Sequence, residues 1–378
     1  MLMTNAIVYG GSFMPTRGAV SVQDGRIRAL GETLRAQPGE EVFDAGGAKI
    51  LPGFVDIHVH GGGGVEIGGG AAALEVVSRR LASRGVTSFC PTTMTAAPAT
   101  LRESAAQTVA YMGKEAGAYI HGLHLEGPYI SVEKRGAQDP AFIRPADCAE
   151  LERLMAAAPV KLLGMAPEAP GALEAAGWAQ SRCRVAMAHT SATYEQARAG
   201  LAAGFSHGTH LYCAMPPLHH RAPGAVAALL ESESATAELI CDGVHLHPAT
   251  VRLAFRLLGE DRAVTVSDAV AAAGLPEGAH SVGGQTMICQ NGAVYMADGE
   301  TLAGSACDLF TEYQNLLAWG ISESAALRSC TINPARVIGA DAVCGSLAPG
   351  KNADLLLLDG GGALLQAMVK GRWCGGMP

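Results

Sequence analysis

The stretch Leu51-Pro52-Gly53-Phe54-Val55-Asp56-Ile57-His58-Val59-His60 joins an apolar, β-branched run to a His-x-His pair, and glycines follow it at positions 61–64. Side chains two residues apart on a strand point to the same face, so His58 and His60 are expected to project together from a strand end. Two imidazoles placed in this way suit a metal ion. An isolated His-x-His pair is more often two hydrogen-bonded histidines in a half-buried strand, so the choice depends on the rest of the chain.

The chain beyond this stretch alternates apolar, strand-like segments with helical patterns, which predicts βαβ units and a parallel sheet. Eight such alternations over roughly 280 residues fit a (β/α)8 TIM-type barrel. An open doubly wound sheet is the alternative, but no Gly-x-Gly-x-x-Gly follows the first strand to support a dinucleotide site. The predicted strands are 53–58, 86–91, 120–126, 160–166, 184–189, 205–210, 238–242 and 263–268.

Two of the predicted helices have recognisable ends. Gly85 follows the helical pattern of residues 72–84 and is a candidate for the glycine that commonly terminates a helix. Thr190-Ser191 precede the pattern of residues 192–203 and are candidate N-caps.

Both ends of the chain read as short strands, and Asp24-Gly25 between two of them is a hairpin signal. Because the termini of a domain often lie close together, we expect one small β-sandwich domain built from both ends. The predicted division is residues 1–52 and 337–378 for this β domain, and residues 53–336 for the barrel.

Composition excludes several classes of protein. Hydrophobic residues make up 49% of the 378 residues and charged residues 16%, which allows a large core and argues against disorder. The net charge is −8 and no long basic run occurs, so nucleic acid is not expected as a partner. Ten scattered cysteines without a Cys-x-x-Cys motif, an N-terminus without a signal pattern and the lack of a long apolar run favour a soluble cytoplasmic protein without a membrane partner.

Polar residues of the types that bind metals fall at the ends of several predicted strands. In a barrel, the carboxyl ends of the strands meet at one face, and that face is where such enzymes do chemistry. Imidazole and carboxylate together suit Zn²⁺, Fe²⁺, Mn²⁺ or Co²⁺. The residues concerned are His58 and His60, Glu126, His189, His210 and Asp268.

Three side chains near these strand ends have separate expected roles. Asp268 ends the last predicted strand. A carboxylate there can accept a proton from activated water and return it to a leaving group. The alternative roles for Asp268 are metal ligand and helix N-cap. His124 shares the inward face of Glu126 one layer deeper and is expected to support or pack. His207, three residues before His210, is expected to face elsewhere and to be structural.

The sequence resembles the amidohydrolase superfamily, and within it the N-acetylglucosamine-6-phosphate deacetylases, over nearly its whole length. The combination of Glu-Gly-Pro, His-Leu-Tyr-x-Ala-Met and Asp-Gly-x-His motifs is specific to the deacetylases. The matching stretches are residues 52–61, 124–128, 166–168, 189–193, 210–218, 242–245, 267–269, 302–305, 333–335 and 345–354.

The resemblance implies hydrolysis of N-acetyl-D-glucosamine 6-phosphate to D-glucosamine 6-phosphate and acetate, with Asp268 as the catalytic residue. It implies that Glu126, His189 and His210 hold one divalent metal, and that His58 and His60 can hold a second bridged by Glu126. The expected cofactor is therefore one or two metal ions per subunit. Zinc is expected first, and iron, manganese and cobalt are the alternatives.

The resemblance also implies the contacts of an amino-sugar phosphate and a homodimer in which the loop of Arg221 lies near the neighbour's site. Arg221 and His245 match the phosphate-binding pair. Arginine suits phosphate because its planar fork donates two parallel hydrogen bonds. The remaining implied substrate contacts are Ala137, Gln138, Cys213, Ala214, Leu302, Ala303 and Gly304.

Two positions depart from the family pattern and leave the substrate open. Gln138 stands where the family usually has histidine, and Cys213 where it usually has asparagine. Both changes bear on the sugar, so N-acetylgalactosamine 6-phosphate is an alternative substrate. Two further functions also stay open at this point: a hydantoinase-like or isoaspartyl dipeptidase-like enzyme acting on a cyclic amide or isopeptide, and a non-catalytic sugar-phosphate sensor.

Overall fold

Strands and helices alternate along the middle of the chain in the computed structural model, which describes residues 1–282 and 285–375. The strands are β1 (Leu2–Tyr9), β2 (Pro15–Gln23), β3 (Arg26–Gly31), β4 (Val42–Asp44), β5 (Lys49–Pro52), β6 (Phe54–Val59), β7 (Gly61–Gly62), β8 (Val65–Glu66), β9 (Val86–Thr93), β10 (Tyr119–Ile120), β11 (Leu123–Glu126), β12 (Val160–Met165), β13 (Arg184–Met187), β14 (Phe205–Gly208), β15 (Thr236–Leu239), β16 (Ala263–Thr265), β17 (Gly278–Val282), β18 (Gln285–Gln290), β19 (Ala293–Met296), β20 (Leu302–Ser305), β21 (Leu355–Leu358), β22 (Leu364–Val369) and β23 (Arg372–Trp373).

The helices pack mainly around these strands. They are α1 (Gly70–Ser83), α2 (Pro98–Tyr111), α3 (Cys148–Ala157), α4 (Ala172–Ala179), α5 (Tyr194–Ala203), α6 (Gly224–Glu231), α7 (Pro248–Arg262), α8 (Leu309–Ala318), α9 (Glu323–Cys330) and α10 (Ile332–Val337), with short 3-10 turns at Ile67–Gly69 and Pro140–Phe142. In the described ranges, no helix combines the length and the apolar character needed to cross a bilayer.

The central sheet is a parallel barrel, as the sequence predicted. Its eight barrel strands run in the order β6-β9-β11-β12-β13-β14-β15-β16, and the short strand β10 also pairs with β9. A parallel bridge between Val59 and Ala269 joins the last strand region back to the first. Every residue of β6 and β9 is buried, which is typical of strands covered on both faces. The carboxyl ends of all eight strands therefore surround one mouth.

The strands at the two ends of the chain form one second sheet, which confirms that both termini are rich in β-structure. Its order is β23-β22-β21-β5-β1-β2-β3, with β4 paired to β1. The ring of Trp373 on the edge strand β23 lies 6.2 Å from the ring of Phe43 on β4, so the sheet curls over a core of its own. Asp24 and Gly25 both have positive φ at the β2–β3 turn, as the hairpin signal predicted.

An antiparallel sheet of β17–β20 follows the last barrel strand and was not predicted. Its order is β17-β18-β19-β20. Ala269, just after β16, forms a bridge to Ser305 at the end of β20. This sheet is thereby joined to the mouth of the barrel, next to Asp268.

Two local predictions need correction, while a third is confirmed. Gly85 has a φ of +85° beyond α1, as predicted. The N-cap of α5 is Thr193, not Thr190-Ser191, because Thr193 forms a reciprocal capping box with Gln196. The seventh barrel strand is Thr236–Leu239 rather than 238–242, which changes the position of Glu238 within it.

Candidate metal centre

One group of converging side chains consists of Glu126, His189 and His210. Glu126 is the last residue of β11, and both histidines lie just beyond β13 and β14. Glu126 Oε1 lies 3.1 Å from His189 Nε2 and 3.0 Å from His210 Nε2. The two Nε2 atoms are 3.2 Å apart. The structure therefore brings together these three residues from separate parts of the sequence.

The hydrogen bonds on the far side of each ring indicate its tautomer. His189 Nδ1 lies 2.8 Å from the carbonyl oxygen of Lys134, and His210 Nδ1 lies 3.2 Å from that of Cys213. A carbonyl oxygen only accepts, so each Nδ1 carries a proton, which leaves each Nε2 as the ring nitrogen available to a metal ion. Two lone pairs and a carboxylate oxygen converging at this distance suit a shared cation, so this donor set fits a divalent metal.

His58 and His60 form a second group that shares Glu126 with the first. Their Nε2 atoms are 3.1 Å apart, and His60 Nδ1 lies 3.0 Å from the carbonyl oxygen of Thr92. His58 Nε2 lies 3.5 Å from Glu126 Oε1, and His60 Nε2 lies 3.3 Å from Glu126 Oε2. Asp268 Oδ1 lies 3.4 Å and 3.3 Å from the same two nitrogens. Imidazole nitrogens and carboxylate oxygens converge here as they do in the first group, so this group fits a second cation, with Glu126 between the two cation positions.

Carboxylates dominate the electrostatics of this second group. Burial alone would lower the pKa of His58, but the charges of Glu238, Asp268 and Glu126 raise it to about 10. Burial would also lower the pKa of His60, and hydrogen bonds with Asp268 and Glu126 raise it to about 9. The pocket thus stabilises positive charge between these rings, which a proton or a metal ion can supply. Because the two compete, metal binding is expected to weaken in acid.

Asp268 is held in its ionised form. Burial would raise the pKa of its carboxyl group, but the charges of His58 and His60 and a hydrogen bond with His60 keep that pKa below its ordinary value. Asp268 is therefore a carboxylate at neutral pH, as a proton acceptor must be.

Three of these side chains project from left-handed backbone beyond the strands rather than from the strands themselves. His189, His210 and Asp268 have φ values of 45°, 31° and 46°. A non-glycine residue in this region costs of order 1–3 kcal/mol and persists where surrounding contacts fix it. At Asp268 the amide donates to the carbonyl oxygen of His58 (3.0 Å), and its own carbonyl accepts from the amide of Ser305 (3.0 Å).

The sequence reasoning missed Glu238, which links the two groups. Its Oε2 accepts from His58 Nδ1 at 2.9 Å and from the amide of His210 at 3.1 Å, and its Oε1 accepts from His207 Nε2 at 3.2 Å. Burial would raise its pKa, but His58 and His207 hold the pKa well below its usual range. The ring of His207, within β14, contacts Glu238 and Thr236 and belongs to neither histidine group in the described part of the chain, which agrees with the structural role expected for it. The available signal was a carboxylate inside an apolar strand.

Gln138 lies against the centre itself. Its Nε2 donates to Glu126 Oε2 at 2.6 Å, and its Oε1 accepts from the amide of Thr95 at 2.6 Å. Both ends of the amide are thereby used, and the side chain is 3% exposed. Gln138 thus fixes the carboxylate that both histidine groups share.

The remaining predicted substrate contacts lie on a turn after β14 and on strand β20, both at the same mouth. Cys213 and Ala214 follow His210, and the Ala214 carbonyl accepts from the amide of Thr190 at 3.1 Å. Leu302–Ser305 forms β20, which carries Ala303 and Gly304 beside Asp268, and a Cβ on Gly304 would lie 2.9 Å from the Asp268 carbonyl oxygen.

The two predicted phosphate ligands follow the sixth and seventh barrel strands. His245 Nδ1 bonds Asp242 Oδ2 at 2.6 Å. Arg221 is exposed, and its hydrogen bonds stay within its own loop, with His219 and His220. The structure thus brings the metal-type residues into one cluster, whereas it shows no contact between Arg221 and that cluster in the described part of the chain.

Replacement of Glu238 by glutamine tests its supporting role. Glu238→Gln removes the charge that orients His58, and the loss of such a partner typically costs 10- to 100-fold in metal affinity. We expect a loss of that size in a chelator competition assay, with the fold retained. Glu260→Gln, an exposed position on α7, is the matched control. An unchanged affinity in Glu238→Gln would contradict the role.

The chain is similar in sequence to a known protein family and to several named enzymes. The sequence profile of the amidohydrolase family matches residues 50–378. The chain is 36% identical over 330 residues to N-acetylgalactosamine-6-phosphate deacetylase of Escherichia coli O157:H7, covering 85% of this chain and 87% of that protein. It is 31% identical over 365 residues to N-acetylglucosamine-6-phosphate deacetylase of Bacillus subtilis (strain 168), covering 94% and 92%.

A solved structure shares the whole architecture. The crystal structure of N-acetyl-D-glucosamine-6-phosphate deacetylase from Mycobacterium smegmatis superposes with a TM-score of 0.90 at 32% identity, covering 99% of each chain. A mutant of the same enzyme was solved in complex with N-acetyl-D-glucosamine-6-phosphate.

Proposed function

This chain belongs to the amidohydrolase family, within the branch of the N-acetylglucosamine-6-phosphate deacetylases, and we propose that it hydrolyses N-acetyl-D-glucosamine 6-phosphate to D-glucosamine 6-phosphate and acetate. The observation that carries the proposal is the placement of Asp268 Oδ1 within 3.4 Å of the His58 and His60 Nε2 atoms, beside the carboxylate of Glu126. The side chains that could bind a metal ion and the carboxylate that could deprotonate water therefore lie in one pocket.

Two sets of residues have different roles in the proposed reaction: one would bind the metal ions, and Asp268 would transfer the proton. Glu126, His189 and His210 would hold one divalent metal, and His58, His60 and Glu126 a second. A metal ion held there supplies Lewis acidity, which acidifies water and polarises an amide carbonyl. We propose zinc as the first choice, because two neutral imidazoles and a carboxylate are common zinc ligands.

Asp268 moves the proton. Its carboxylate accepts a proton from the water that adds to the acetyl carbon, and then passes this proton to the amide nitrogen. The addition of water forms the new carbon–oxygen bond. The carbonyl group is restored when the carbon–nitrogen bond breaks, so the products are the free amine and acetic acid. Gln138 keeps Glu126 in position through these steps, which revises its expected role from substrate contact to support of the ligand set.

Arg221 and His245 would bind the 6-phosphate, and in a homodimer the loop of Arg221 would reach the site of the neighbouring subunit. The exposed position of Arg221 and the confinement of its contacts to its own loop leave its guanidinium accessible to such a ligand.

Removal of this guanidinium should affect only phosphorylated substrates. A hydrogen bond to a charged group contributes about 1.5–3 kcal/mol, so Arg221→Ala should lower kcat/KM for the 6-phosphate roughly 10- to 100-fold. The rate on free N-acetylglucosamine should stay unchanged, because that substrate has no phosphate. Steady-state kinetics on both substrates checks this, and equal losses on the two would contradict the assignment.

A panel of substrates tests the proposed function. Acetate release is measured from N-acetylglucosamine, N-acetylgalactosamine and their 6-phosphates, with Zn²⁺, Fe²⁺ and Mn²⁺. We expect the glucosamine 6-phosphate derivative to react fastest. N-acetylgalactosamine 6-phosphate is the second candidate, since a relative at 36% identity is named for that substrate. Equal rates on free and phosphorylated sugars would contradict the phosphate site.

A further inference from the structure

A cavity of about 270 Å³ lies beside the candidate metal centre, and two of the predicted substrate contacts, Ala137 and Ala303, are part of its wall. His60 is part of its wall, so the cavity begins at the ligand cluster. The wall continues through Val270, two residues after Asp268, and through Ala137, next to Gln138. The cavity is thus continuous with the place where an amide carbonyl would react.

Most of the larger side chains around this cavity are apolar. The apolar wall combines the barrel mouth with the β17–β20 sheet, while threonine, serine and carboxylate side chains complete the lining. Methionine has flexible, unbranched side chains that fill irregular gaps and adapt to different ligands. The principal apolar residues are Ile67, Met94, Leu101, Val270, Met287 and Met296.

The position of the cavity indicates which part of a substrate would enter it. His245, the proposed phosphate ligand from this chain's own barrel, follows β15 on one side of the mouth. The cavity lies at the ends of β6, β9 and β16, on a different side. An amide carbonyl has the sugar nitrogen on one side and the acyl carbon on the other. With the phosphate held near His245, the acyl group would point away from the sugar and toward the cavity.

The cavity is larger than an acetyl group needs. An apolar cavity of about 150 Å³ is known to hold benzene, whereas acetyl offers a single methyl group. We propose that this cavity is an acyl pocket, and that the enzyme also removes N-acyl groups longer than acetyl from amino-sugar 6-phosphates. This inference rests on the proposed function. Water adds across the amide as before, so N-butanoyl-glucosamine 6-phosphate would give glucosamine 6-phosphate and butanoate.

The first test compares N-butanoyl- with N-acetyl-glucosamine 6-phosphate in kcat/KM on the metal-loaded enzyme. A site closed around methyl would reject each added methylene by about tenfold or more. We expect instead that the butanoyl compound reacts within about tenfold of the acetyl compound. A loss of a hundredfold or more, with normal acetate release, would overturn the acyl pocket but leave the proposed function intact. Failure of acetate release itself would overturn the proposed function.

The second test fills the cavity from α2. Ser104→Leu and Thr100→Leu add bulk at two lining positions, and Ala106→Leu adds the same side chain at an exposed position of the same helix that is not part of the wall. We expect both cavity variants to lower kcat/KM for the butanoyl compound at least about tenfold and for the acetyl compound less than about twofold, with Ala106→Leu changing neither. Equal losses on both substrates would place the sugar, not the acyl chain, in the cavity and overturn the inference. The inference would also be overturned if neither variant lost activity selectively on the butanoyl compound.

Discussion

Asp268→Asn is expected to lower kcat for acetate release by about a thousandfold, while the metal content and the midpoint of thermal unfolding stay close to those of the parent protein. Asparagine keeps the size of the side chain but cannot accept a proton from water or return one to the amine. General acid–base catalysis typically contributes about 10²- to 10⁴-fold, which sets the expected size. Stopped acetate assays together with metal analysis of the same preparation measure both quantities.

A matched variant separates loss of the base from disturbance of the loop. Ser267→Ala changes the neighbouring residue, whose hydroxyl accepts from the amide of Ala269 at 3.2 Å, and should cost far less activity. Turnover of Asp268→Asn within about tenfold of the parent, with full metal content, would contradict the assignment of Asp268 as the base.

Glu126→Gln is expected to abolish acetate release and to remove metal from both groups of ligands. The carboxylate oxygens lie within 3.5 Å of Nε2 atoms on four histidines, so one substitution withdraws a negative ligand from both groups. A neutral amide is a weaker ligand for a divalent cation, and the closely spaced imidazoles then lose the anion between them. Elemental analysis of the protein after dialysis should find metal strongly reduced.

The control for Glu126→Gln is the paired change His58→Gln with His60→Asn. This pair removes donors from the second group only and should leave the metal bound by Glu126, His189 and His210. A lower stoichiometry in the paired variant indicates two ions per subunit, and full activity with unchanged stoichiometry returns His58 and His60 to a structural role. Normal metal content in Glu126→Gln would contradict the shared ligand.

The barrel and the family could be predicted from the sequence because both depend on features that a sequence displays directly. Apolar runs of barrel strands, punctuated by helices, indicate parallel pairing, and the motif around Glu126 and the one around His210 are specific. The β17–β20 sheet was missed because its strands are four to six residues long and carry no long apolar run.

The backbone conformations and side-chain contacts of the site could not be predicted from the sequence, because they depend on the geometry of the folded chain. His189, His210 and Asp268 lie beyond the ends of their strands in left-handed backbone, a conformation that no local pattern in these residues predicts. Glu238 was overlooked because a shift of two residues in the predicted strand start moved it from the interior of the strand to its first position. The contact of Gln138 with Glu126 joins residues on separate segments, and only the folded chain shows it.

The most direct test of the central claim is a metal titration of the chelator-stripped protein while acetate release from N-acetyl-D-glucosamine 6-phosphate is followed. The ligand geometry predicts that activity is lost on stripping, returns with added Zn²⁺ and saturates at one or two equivalents per subunit. Acetate release at the full rate from metal-free protein, or none at any metal concentration from correctly folded protein, would contradict a metal-dependent deacetylase.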